Sequence, residues 1–297
     1  MELVAGVDAG GTSSRAVVAT VHGEIVGRGR AGPGNPLAHG PERAAAEVAA
    51  AVRQALGGHS PALVRAATLG IAGPAGTRAF GAALGVGGPV TVVGDAVTAF
   101  ASGTPVPSGA VLIAGTGAIA AAIKDDQVVR TSDGLGWLLG DEGSGRWLGL
   151  RAVRVAVRNW KTPFAALIAA RAGVDSADDL VYWAQALPFP AIDGLAPVVC
   201  AAARDADPHA TAIVTEAAAC LVRTLDDLAE PGPVVLAGGL LAAGTPVRDG
   251  VLKVLAERGR EPRTSLDPAA GAAWLAARPI SPLNPADLHR AMLGGVA

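Results

Sequence analysis

Two short turns rich in glycine and threonine carry residue types that could bind the phosphates of a nucleotide. Each turn lies between two short apolar runs, one near the start of the chain and one beyond its first third. Glycine lets the backbone approach a phosphate closely and direct its N–H groups at the oxygens, and a threonine hydroxyl adds one more donor. The predicted phosphate-binding residues are Gly10, Gly11 and Thr12 in the first turn and Gly115, Thr116 and Gly117 in the second. The pair of turns predicts a duplicated domain that closes on one nucleotide.

Two aspartates stand at the carboxyl ends of predicted strands, where their carboxylates could take part in a reaction. Asp8 directly precedes the first turn, and a carboxylate beside a phosphate turn is suited to hold Mg2+, usually through water. The alternative for Asp8 is an Asx turn that stabilises only its own hairpin. Asp95 follows the predicted strand Val90–Val93 and precedes a helix. It could cap that helix, or it could accept a proton from a substrate hydroxyl during phosphoryl transfer.

A glycine-dense loop from Gly134 to Gly145 holds two adjacent carboxylates, Asp141 and Glu142, and leads into a predicted helix. Recognition of a polyol needs close approach of the backbone and carboxylates that accept hydrogen bonds from hydroxyls, and this loop offers both. The alternative is a solvated helix N-terminus. The chain contains no GxxxxGK[ST] sequence, and a lone GxG is poor evidence for a dinucleotide site, so P-loop and Rossmann sites are disfavoured.

Two further positions are candidates for ligand contacts on weaker grounds. Asn35 is an amide on a loop of glycines and prolines after the third predicted strand, where most asparagines only form turns. Gly238 and Gly239 follow the predicted strand Val234–Ala237 and could let the backbone pass against an adenine or a ribose. A plain strand-to-helix turn is the favoured explanation of this glycine pair when it is taken alone.

Composition limits the classes of partner. The formal net charge of the 297 residues is −2, and no run of Lys or Arg forms a basic stripe, which disfavours nucleic acid and favours a small-molecule partner. The longest apolar stretches fall short of the roughly 18 to 20 residues that a bilayer span needs, so no membrane segment is predicted. The first residues show neither a basic region nor a cleavage site, and a cytoplasmic location is expected. Cys200 and Cys220 lack metal-ligand spacing and are predicted to be buried thiols.

Apolar periodicity and turn residues predict an α/β chain whose opening strand-turn-strand pattern is repeated after residue 109. The segment Gly103–Gly109 is rich in proline and glycine and is predicted to link two lobes, residues 1–107 and 108–297. The last helix, within residues 283–297, is predicted to pack back on the first lobe. Strands are predicted at 3–7, 15–20, 24–30, 63–71, 90–93, 110–114, 118–124, 127–130 and 234–237. Helices are predicted at 41–56, 77–84, 96–101, 145–161, 163–171, 177–187, 195–204, 208–229, 246–258, 268–277 and 285–292.

The ordered set of motifs resembles the BadF/BadG/BcrA/BcrD-type ATPase group of the acetate and sugar kinase, Hsp70 and actin superfamily. Within that group it looks most like the N-acetylglucosamine and glucosamine kinases. The resemblance covers almost the whole chain and is specific as an ordered set, because each motif alone is common. The motifs are Gly6–Ser14, Gly34-Asn35, Gly94–Ala96, Ala114–Gly117, Gly136–Gly145, Leu236–Gly239 and Pro268–Ala272.

The resemblance implies two RNase H-like (actin-like ATPase) domains with an interdomain active-site cleft, ATP and Mg2+ as cofactors, and a homodimer. It implies a kinase that transfers the γ-phosphate of MgATP to the 6-hydroxyl of N-acetylglucosamine or glucosamine. By position it assigns Asp95 as the base that deprotonates this hydroxyl, Asp8 as the residue that organises magnesium, and the two glycine turns as the phosphate grips. It also implies that Gly238 and Gly239 border the adenosine. The sugar-binding residues that it implies are Asn35, Asp95, Gly136 and Asp141.

Two adjacent positions depart from the family pattern. The second turn continues as Ala118-Ile119, where the N-acetylglucosamine kinases carry serine and asparagine, so an amide near the expected sugar is missing. This departure leaves glucosamine or another hexose open as the substrate. Two other functions remain as alternatives, namely an ATPase that activates a partner enzyme and a sugar sensor without catalysis. Activators of this group need cysteines that ligate an iron-sulfur cluster, whereas Cys200 and Cys220 lie in predicted helices far from the nucleotide turns.

Overall fold

The structure is a computed structural model that describes residues 1–73 and 77–294. The described strands are β1 (Leu3–Ala9), β2 (Ser14–Thr20), β3 (Ile25–Ala31), β4 (Val64–Ile71), β5 (Val90–Gly94), β6 (Gly109–Ala114), β7 (Ala118–Lys124), β8 (Gln127–Asp133), β9 (Val234–Ala237) and β10 (Arg263–Thr264). The described helices are α1 (Pro36–His39), α2 (Pro41–Leu56), α3 (Thr77–Leu84), α4 (Asp95–Gly103), α5 (Gly145–Arg158), α6 (Pro163–Ala172), α7 (Ala177–Gln185), α8 (Phe189–Asp193), α9 (Ala196–Arg204), α10 (Pro208–Asp226), α11 (Gly239–Ala242), α12 (Pro246–Glu257), α13 (Pro268–Ala277) and α14 (Pro285–Leu293).

The strands form two five-stranded sheets. The first has the order β3-β2-β1-β4-β5, in which β2 is antiparallel to both of its neighbours and β1, β4 and β5 are parallel. The second has the order β8-β7-β6-β9-β10, with β6 parallel to β9. If β6 to β10 are renumbered from one to five, the second sheet has the same strand order as the first. This confirms the α/β class and the duplicated strand pattern that the sequence predicts.

Contacts between residues divide the chain into two compact units. The first unit contains Met1–Gly109, Ile123–Val129 and Arg263–Ala297, and the second contains Ala110–Ala122 and Arg130–Pro262. The lobes predicted from the sequence are 1–107 and 108–297, with only the last helix returning to the first lobe. The returning segment is longer than that helix, because α13 also packs in the first unit. Residues 295–297 of the predicted last helix lie outside the described residues.

Helix α13 covers one face of the first sheet, and glycines allow its backbone to come close. A Cβ at Gly6 on β1 would overlap the backbone of Ala273, and a Cβ at Gly271 would lie 2.6 Å from the carbonyl oxygen of Thr98 on α4. Trp274 is fully buried in the same layer. These contacts fix the carboxyl end of β1 against α13 and α4.

The other face of the first sheet packs against α2, whose small apolar side chains form a buried stripe. In the second unit, buried side chains of β6, β7 and β9 form one cluster with those of the surrounding helices, including α5, α9 and α10. Several helices of both units begin with a capping side chain followed by proline, a combination that favours a helix start. The capping residues are Thr162, Asp207, Thr245, Asp267 and Asn284.

These local start signals explain why the predicted helices and strands are confirmed to within three residues at their ends. The sequence does not predict the short elements α1, α8, α11 and β10, or the single 3₁₀ turn Pro61–Leu63. Elements of two to five residues are too short to show an apolar period. Among the described residues, no helix combines the length and the apolar character that a membrane span requires.

Candidate active site

The first phosphate turn joins β1 to β2 in the first unit. The N–H of Gly10 donates to the carbonyl oxygen of Ser13 at 3.1 Å and closes the turn. Gly11 and Thr12 are exposed, and a Cβ placed at Gly11 would meet no atom within 4 Å. The tip of the turn is therefore open to a ligand, as its predicted role requires.

Asp8 lies on β1 one residue before its end, directly opposite Arg15 on β2 and beside Gly70 on β4. Burial raises the pKa of its carboxyl to about 6, the negative charge of Asp95 adds to this effect, and Arg15 opposes it. A buried carboxylate beside a second carboxylate is stabilised in its charged form by a nearby cation. The donor chemistry at Asp8 therefore fits a hard cation such as Mg2+, which prefers carboxylate oxygen.

Asp95 is the first residue of α4 and follows β5 directly. One carboxylate oxygen, Oδ1, accepts the N–H of Ala96 at 2.9 Å, while the N-cap position itself is Gly94. Burial raises the pKa of the carboxyl, and hydrogen bonds from backbone N–H groups partly offset this. Asp95 is therefore not the N-cap residue itself, although its carboxylate binds an N–H of the first turn of α4, and its role as a base stays a prediction. Strand β5 ends at the same edge of the sheet as β1, so the carboxylates of Asp8 and Asp95 interact electrostatically.

The loop of Asn35 is tied to the first phosphate turn. The N–H of Gly34 donates to the carbonyl oxygen of Gly10 at 3.0 Å, and a Cβ at Gly34 would lie 2.8 Å from that of Ala9. The Oδ1 atom of Asn35 accepts the N–H of Leu37 at 2.9 Å, which begins the short helix α1. Asn35 is thus a turn residue, and the structure also brings its loop beside the turn of Gly10.

The second phosphate turn joins β6 to β7 and rests on the N-terminus of α5. The N–H of Gly115 donates to the carbonyl oxygen of Gly117 at 2.9 Å. The carbonyl oxygens of Gly115 and Thr116 accept the N–H groups of Gly145 and Arg146 at 2.7 and 3.3 Å. Because its carbonyl groups are bound to the helix, the turn is held in one position in the second unit.

Asp141 lies against this second turn. Its Oδ1 atom accepts the N–H of Ala118 at 3.0 Å, and its carboxylate would be 2.9 to 3.1 Å from a Cβ at Gly117. Burial raises the pKa of Asp141, and the hydrogen bond from Ala118 opposes this increase. The predicted sugar loop and the predicted phosphate turn are therefore one connected structure within the second unit.

Asp133 holds the glycine-dense loop in place, and the sequence does not predict this role. Its two carboxylate oxygens accept the N–H groups of Asp141 and Glu142 at 2.7 and 2.8 Å. Asp141 has a φ of 56°, in the region that favours glycine, so its backbone conformation needs such support. An aspartate just before Gly134 is a common turn signal, and only its distant partners distinguish it.

The other predicted residues of this loop have structural roles in the second unit. Gly136 has a φ of 81°, and its carbonyl oxygen accepts the N–H groups of Leu139 and Gly140 at 3.1 and 2.8 Å. The carboxylate of Glu142 lies 3.5 Å from the guanidinium of Arg223 on α10. The side chain of Ile119 packs against Gly134, where a Cβ would lie 2.7 Å from its Cδ1. An apolar side chain therefore occupies the position at which the resemblance implies an amide.

A pocket of about 590 Å³ in the second unit opens beside the second phosphate turn. Gly239 lies on its wall, and the preceding Gly238 has a φ of 83°, with its Cα too close to the backbone of Ala114 for any side chain. The remaining walls come from α5, α8, α9 and the segment around α11. The pocket is lined by Gly115, Thr116, Gly145, Asp193, Ala196, Pro197, Cys200, Arg204, Gly239, Leu240, Ala243, Gly244 and Thr245.

Helix α9 contributes pocket residues that the sequence does not predict. Cys200 is 6% exposed, which confirms a buried thiol, and burial raises its pKa. Arg204 donates from Nη2 to the carbonyl oxygen of Gly244 and so joins α9 to the segment after α11. Nothing in the spacing of Cys200 or Arg204 along the chain indicates that α9 would face Gly239.

The chain resembles known proteins both in sequence and in fold. The sequence model of the BadF/BadG/BcrA/BcrD ATPase family matches residues 5–276. The N-acetylmuramic acid/N-acetylglucosamine kinase of Clostridium acetobutylicum is 29% identical over 168 residues, which are 54% of this chain and 55% of that protein. The matched part thus spans about half the length of this curated relative.

Solved structures resemble nearly the whole chain. A protein from Chromobacterium violaceum, provisionally described as an N-acetylglucosamine kinase, has a TM-score of 0.73 at 27% identity and covers 93% of this chain and 99% of its own. A ROK family glucokinase from Streptomyces griseus, solved with glucose and AMPPNP, has a TM-score of 0.62 at 23% identity. The match covers 92% of this chain and 99% of the glucokinase. The second likeness shows the fold alone.

Proposed function

Because the chain belongs to the BadF/BadG/BcrA/BcrD ATPase family, we propose that it is an ATP-dependent amino-sugar kinase. It transfers the γ-phosphate of MgATP to the 6-hydroxyl of N-acetylglucosamine or glucosamine. The observation that carries the proposal is the placement of Asp95, a buried carboxylate at a strand end, on the same sheet edge as Asp8 and its phosphate turn. The names of the relatives from Clostridium acetobutylicum and Chromobacterium violaceum support a sugar as the acceptor.

The proposed contacts to the nucleotide are backbone groups of two glycine turns. The turn Gly10–Thr12 binds phosphate oxygens through the exposed backbone at Gly11 and Thr12, and the turn Gly115–Gly117 is the second proposed phosphate contact. The pocket of about 590 Å³ beside that second turn is large enough for a nucleoside, with Gly238 and Gly239 at its border. Fixed amides that point at the phosphates suit phosphoryl transfer, in which positioning and charge stabilisation supply most of the catalysis.

Asp8 is the residue that would hold Mg2+. Its carboxyl is buried beside Asp95, and its pKa of about 6 in the absence of a cation means that ionisation at this position is costly. When bound, Mg2+ neutralises negative charge on the phosphate oxygens. The proposal assigns Asp8 alone among the side chains to this role, and water would complete the coordination.

Asp95 accepts the proton of the sugar hydroxyl as that oxygen attacks the γ-phosphorus. A carboxylate whose pKa is raised above its usual range is a better base than an exposed aspartate. Asn35, Gly136 and Asp141 orient the sugar through its other hydroxyls. Asp141 is already fixed by the N–H of Ala118, so its second oxygen is the one that accepts a hydroxyl.

The apolar Ile119 bears on whether the substrate carries an N-acetyl group. Its side chain packs on Gly134 and offers no hydrogen bond to an acetamide. Glucosamine and neutral hexoses therefore belong in the same test as N-acetylglucosamine.

The test is ADP release from MgATP by the purified protein, first without sugar and then with separate sugars. N-acetylglucosamine, glucosamine, N-acetylmannosamine, glucose and mannose are compared in parallel. Release that one sugar stimulates, with a phosphorylated sugar as product, would identify the acceptor. An ADP release rate that is the same with every sugar as without sugar would refute the proposed kinase activity. It would favour an ATPase whose partner is a protein.

The assignment of the base is tested with Asp95→Ala. Loss of a general base lowers turnover by roughly 100- to 10,000-fold, while the affinities for nucleotide and sugar stay close to those of the unmodified protein. Asp249→Ala is the matched control, because Asp249 is an exposed aspartate near the start of α12. Near-normal turnover in Asp95→Ala would show that another group takes the proton.

A further inference from the structure

A pocket with charged side chains in its walls lies on the first unit, and neither the predicted nucleotide site nor the predicted sugar site includes it. It has a volume of about 280 Å³ and lies among β2, β3, the end of α2 and the start of α13. We call it the arginine pocket, because three arginines contribute to its walls. It is lined by Arg15, Ala16, Val17, Arg28, Gly29, Arg30, Gln54, Asp267 and Ala269.

The register of the hairpin places the three guanidinium groups on one face. Arg15 on β2 is directly opposite Arg30 on β3, and Arg28 is opposite Val17, two residues along the same strands. Residues two apart on a strand share a face, and residues directly opposite each other point the same way. Like charges directly opposite are destabilising in an antiparallel pair. Asp8, directly opposite Arg15 on β1, offsets part of this repulsion, and an anion bound between Arg15 and Arg30 would offset more of it.

The local charges leave this face positive. Arg28 forms an ion pair with Asp267, while the Oε1 atom of Gln54 accepts only the backbone N–H of Arg30, at 2.6 Å. Over residues 1–73 and 77–294, the guanidinium groups of Arg15 and Arg30 have no ion-pair partner. Three arginines and one aspartate line the pocket, so its formal charge is +2.

Helix α13 adds to this positive potential. The helix has ten residues and begins at Pro268, and its capping residue Asp267 and second residue Ala269 both line the pocket. The N-terminus of a helix carries a partial positive charge and N–H groups without intrahelical acceptors. Asp267 already accepts the N–H groups of Ala270 and Gly271, so the start of α13 contributes its partial positive charge and not a set of free donors.

We propose that the arginine pocket binds a phosphate group, either as inorganic phosphate or as the phosphomonoester of a small metabolite. A dianion matches the formal charge of the pocket, and the forked guanidinium group binds phosphate oxygens in pairs. The site is separate from the exposed amides of Gly10–Thr12 and uses side chains in place of backbone groups. The inference goes beyond the proposed kinase activity and does not depend on it.

The test measures phosphate binding by calorimetry in the absence of nucleotide and Mg2+, at low ionic strength. Inorganic phosphate and glucosamine 6-phosphate are titrated separately, so that the free anion and the phosphomonoester are distinguished. The proteins compared are the unmodified chain, Arg30→Gln, Arg30→Lys and Arg43→Gln. Arg43 is an exposed arginine near the start of α2 and does not line the pocket, so it controls for the loss of one charge.

Loss of a charged hydrogen-bond partner is expected to weaken binding roughly tenfold or more in Arg30→Gln. Arg30→Lys should give an intermediate affinity because it keeps the charge and loses the fork, and Arg43→Gln should bind as the unmodified protein does. Equal affinity in Arg30→Gln and Arg43→Gln would overturn the proposal, because the anion would then bind elsewhere, such as at a glycine turn. No binding by the unmodified protein would overturn it as well.

Thermal unfolding supplies a second measurement that does not depend on the affinity. Without phosphate, Arg30→Gln should be at least as stable as the unmodified protein, because the repulsion between Arg15 and Arg30 is removed. Phosphate should raise the melting temperature of the unmodified protein and of Arg43→Gln, and should leave that of Arg30→Gln unchanged. An equal increase in all three proteins would contradict the site.

Discussion

Removal of the Asp133 carboxylate should loosen the loop that carries Asp141 without unfolding the second unit. Asp133 accepts two backbone N–H groups, those of Asp141 and Glu142, at 2.7 and 2.8 Å. A hydrogen bond to a charged group contributes roughly 1.5 to 3 kcal/mol, and the lower value applies because Asp133 is only half-buried. Asp133→Ala therefore costs the loop about 3 kcal/mol.

This free energy corresponds to a roughly 100-fold change in the population of the ordered loop. If the proposed function holds, kcat/KM for the sugar should fall by about 10- to 100-fold in Asp133→Ala, since the position of Asp141 is lost for part of the time. The melting temperature should fall by a few degrees at most, because the loop can open locally while the buried cluster of the second unit, which does not include Asp133, stays folded.

Hydrogen exchange provides a readout that is independent of activity. The amides of Asp141 and Glu142 should exchange much faster in Asp133→Ala, whereas the amides of the central strands should not change. Ser132→Ala is the matched control, because Ser132 is the adjacent residue and donates only to Asp227, at 3.2 Å. Unchanged protection at both amides, together with unchanged kcat/KM, would refute the positioning role of Asp133.

Two further predictions concern the first unit. Gly6→Ala should lower the free energy of unfolding by about 3 kcal/mol, because its Cβ would overlap the backbone of Ala273. Unfolding in denaturant measures this change. Gly81→Ala is the control and should not be destabilised, because the space around its Cβ is open. The Nε2–H of His289 donates to the carbonyl oxygen of Ala101 at 2.9 Å, and burial lowers the pKa of this histidine below 6.5. The neutral form therefore stabilises the fold above pH 6.5, and this contribution is lost as the pH falls through the lowered pKa. Between about pH 7 and pH 5, the free energy of unfolding should fall less for His289→Gln than for the unmodified protein. An equal fall in both proteins would contradict the role of His289 in this pH dependence.

The sequence predicts most secondary structure here because the start and end signals are local. Capping residues followed by proline, such as Asp207 and Asp267, mark helix starts within a few positions. The phosphate turns are likewise visible as glycines after apolar runs, and both lie where the sequence predicts them. Short elements such as α8 and β10 are missed because so few residues show no period. The roles of Asn35, Asp95 and Asp141 in binding or catalysis stay predictions.

By itself, the sequence determined the α/β class, the repeated strand-turn-strand pattern and the family, since these follow from periodicity and from the order of short motifs. Only the tertiary structure decided which distant groups meet. Asp133 reaches the amides of the glycine loop, α9 brings Cys200 to Gly239, and strand register sets Arg15 opposite Arg30. The raised pKa values of the buried aspartates arise in the same way. Desolvation and long-range contacts depend on packing between segments far apart in the chain, and local residue patterns do not encode that packing.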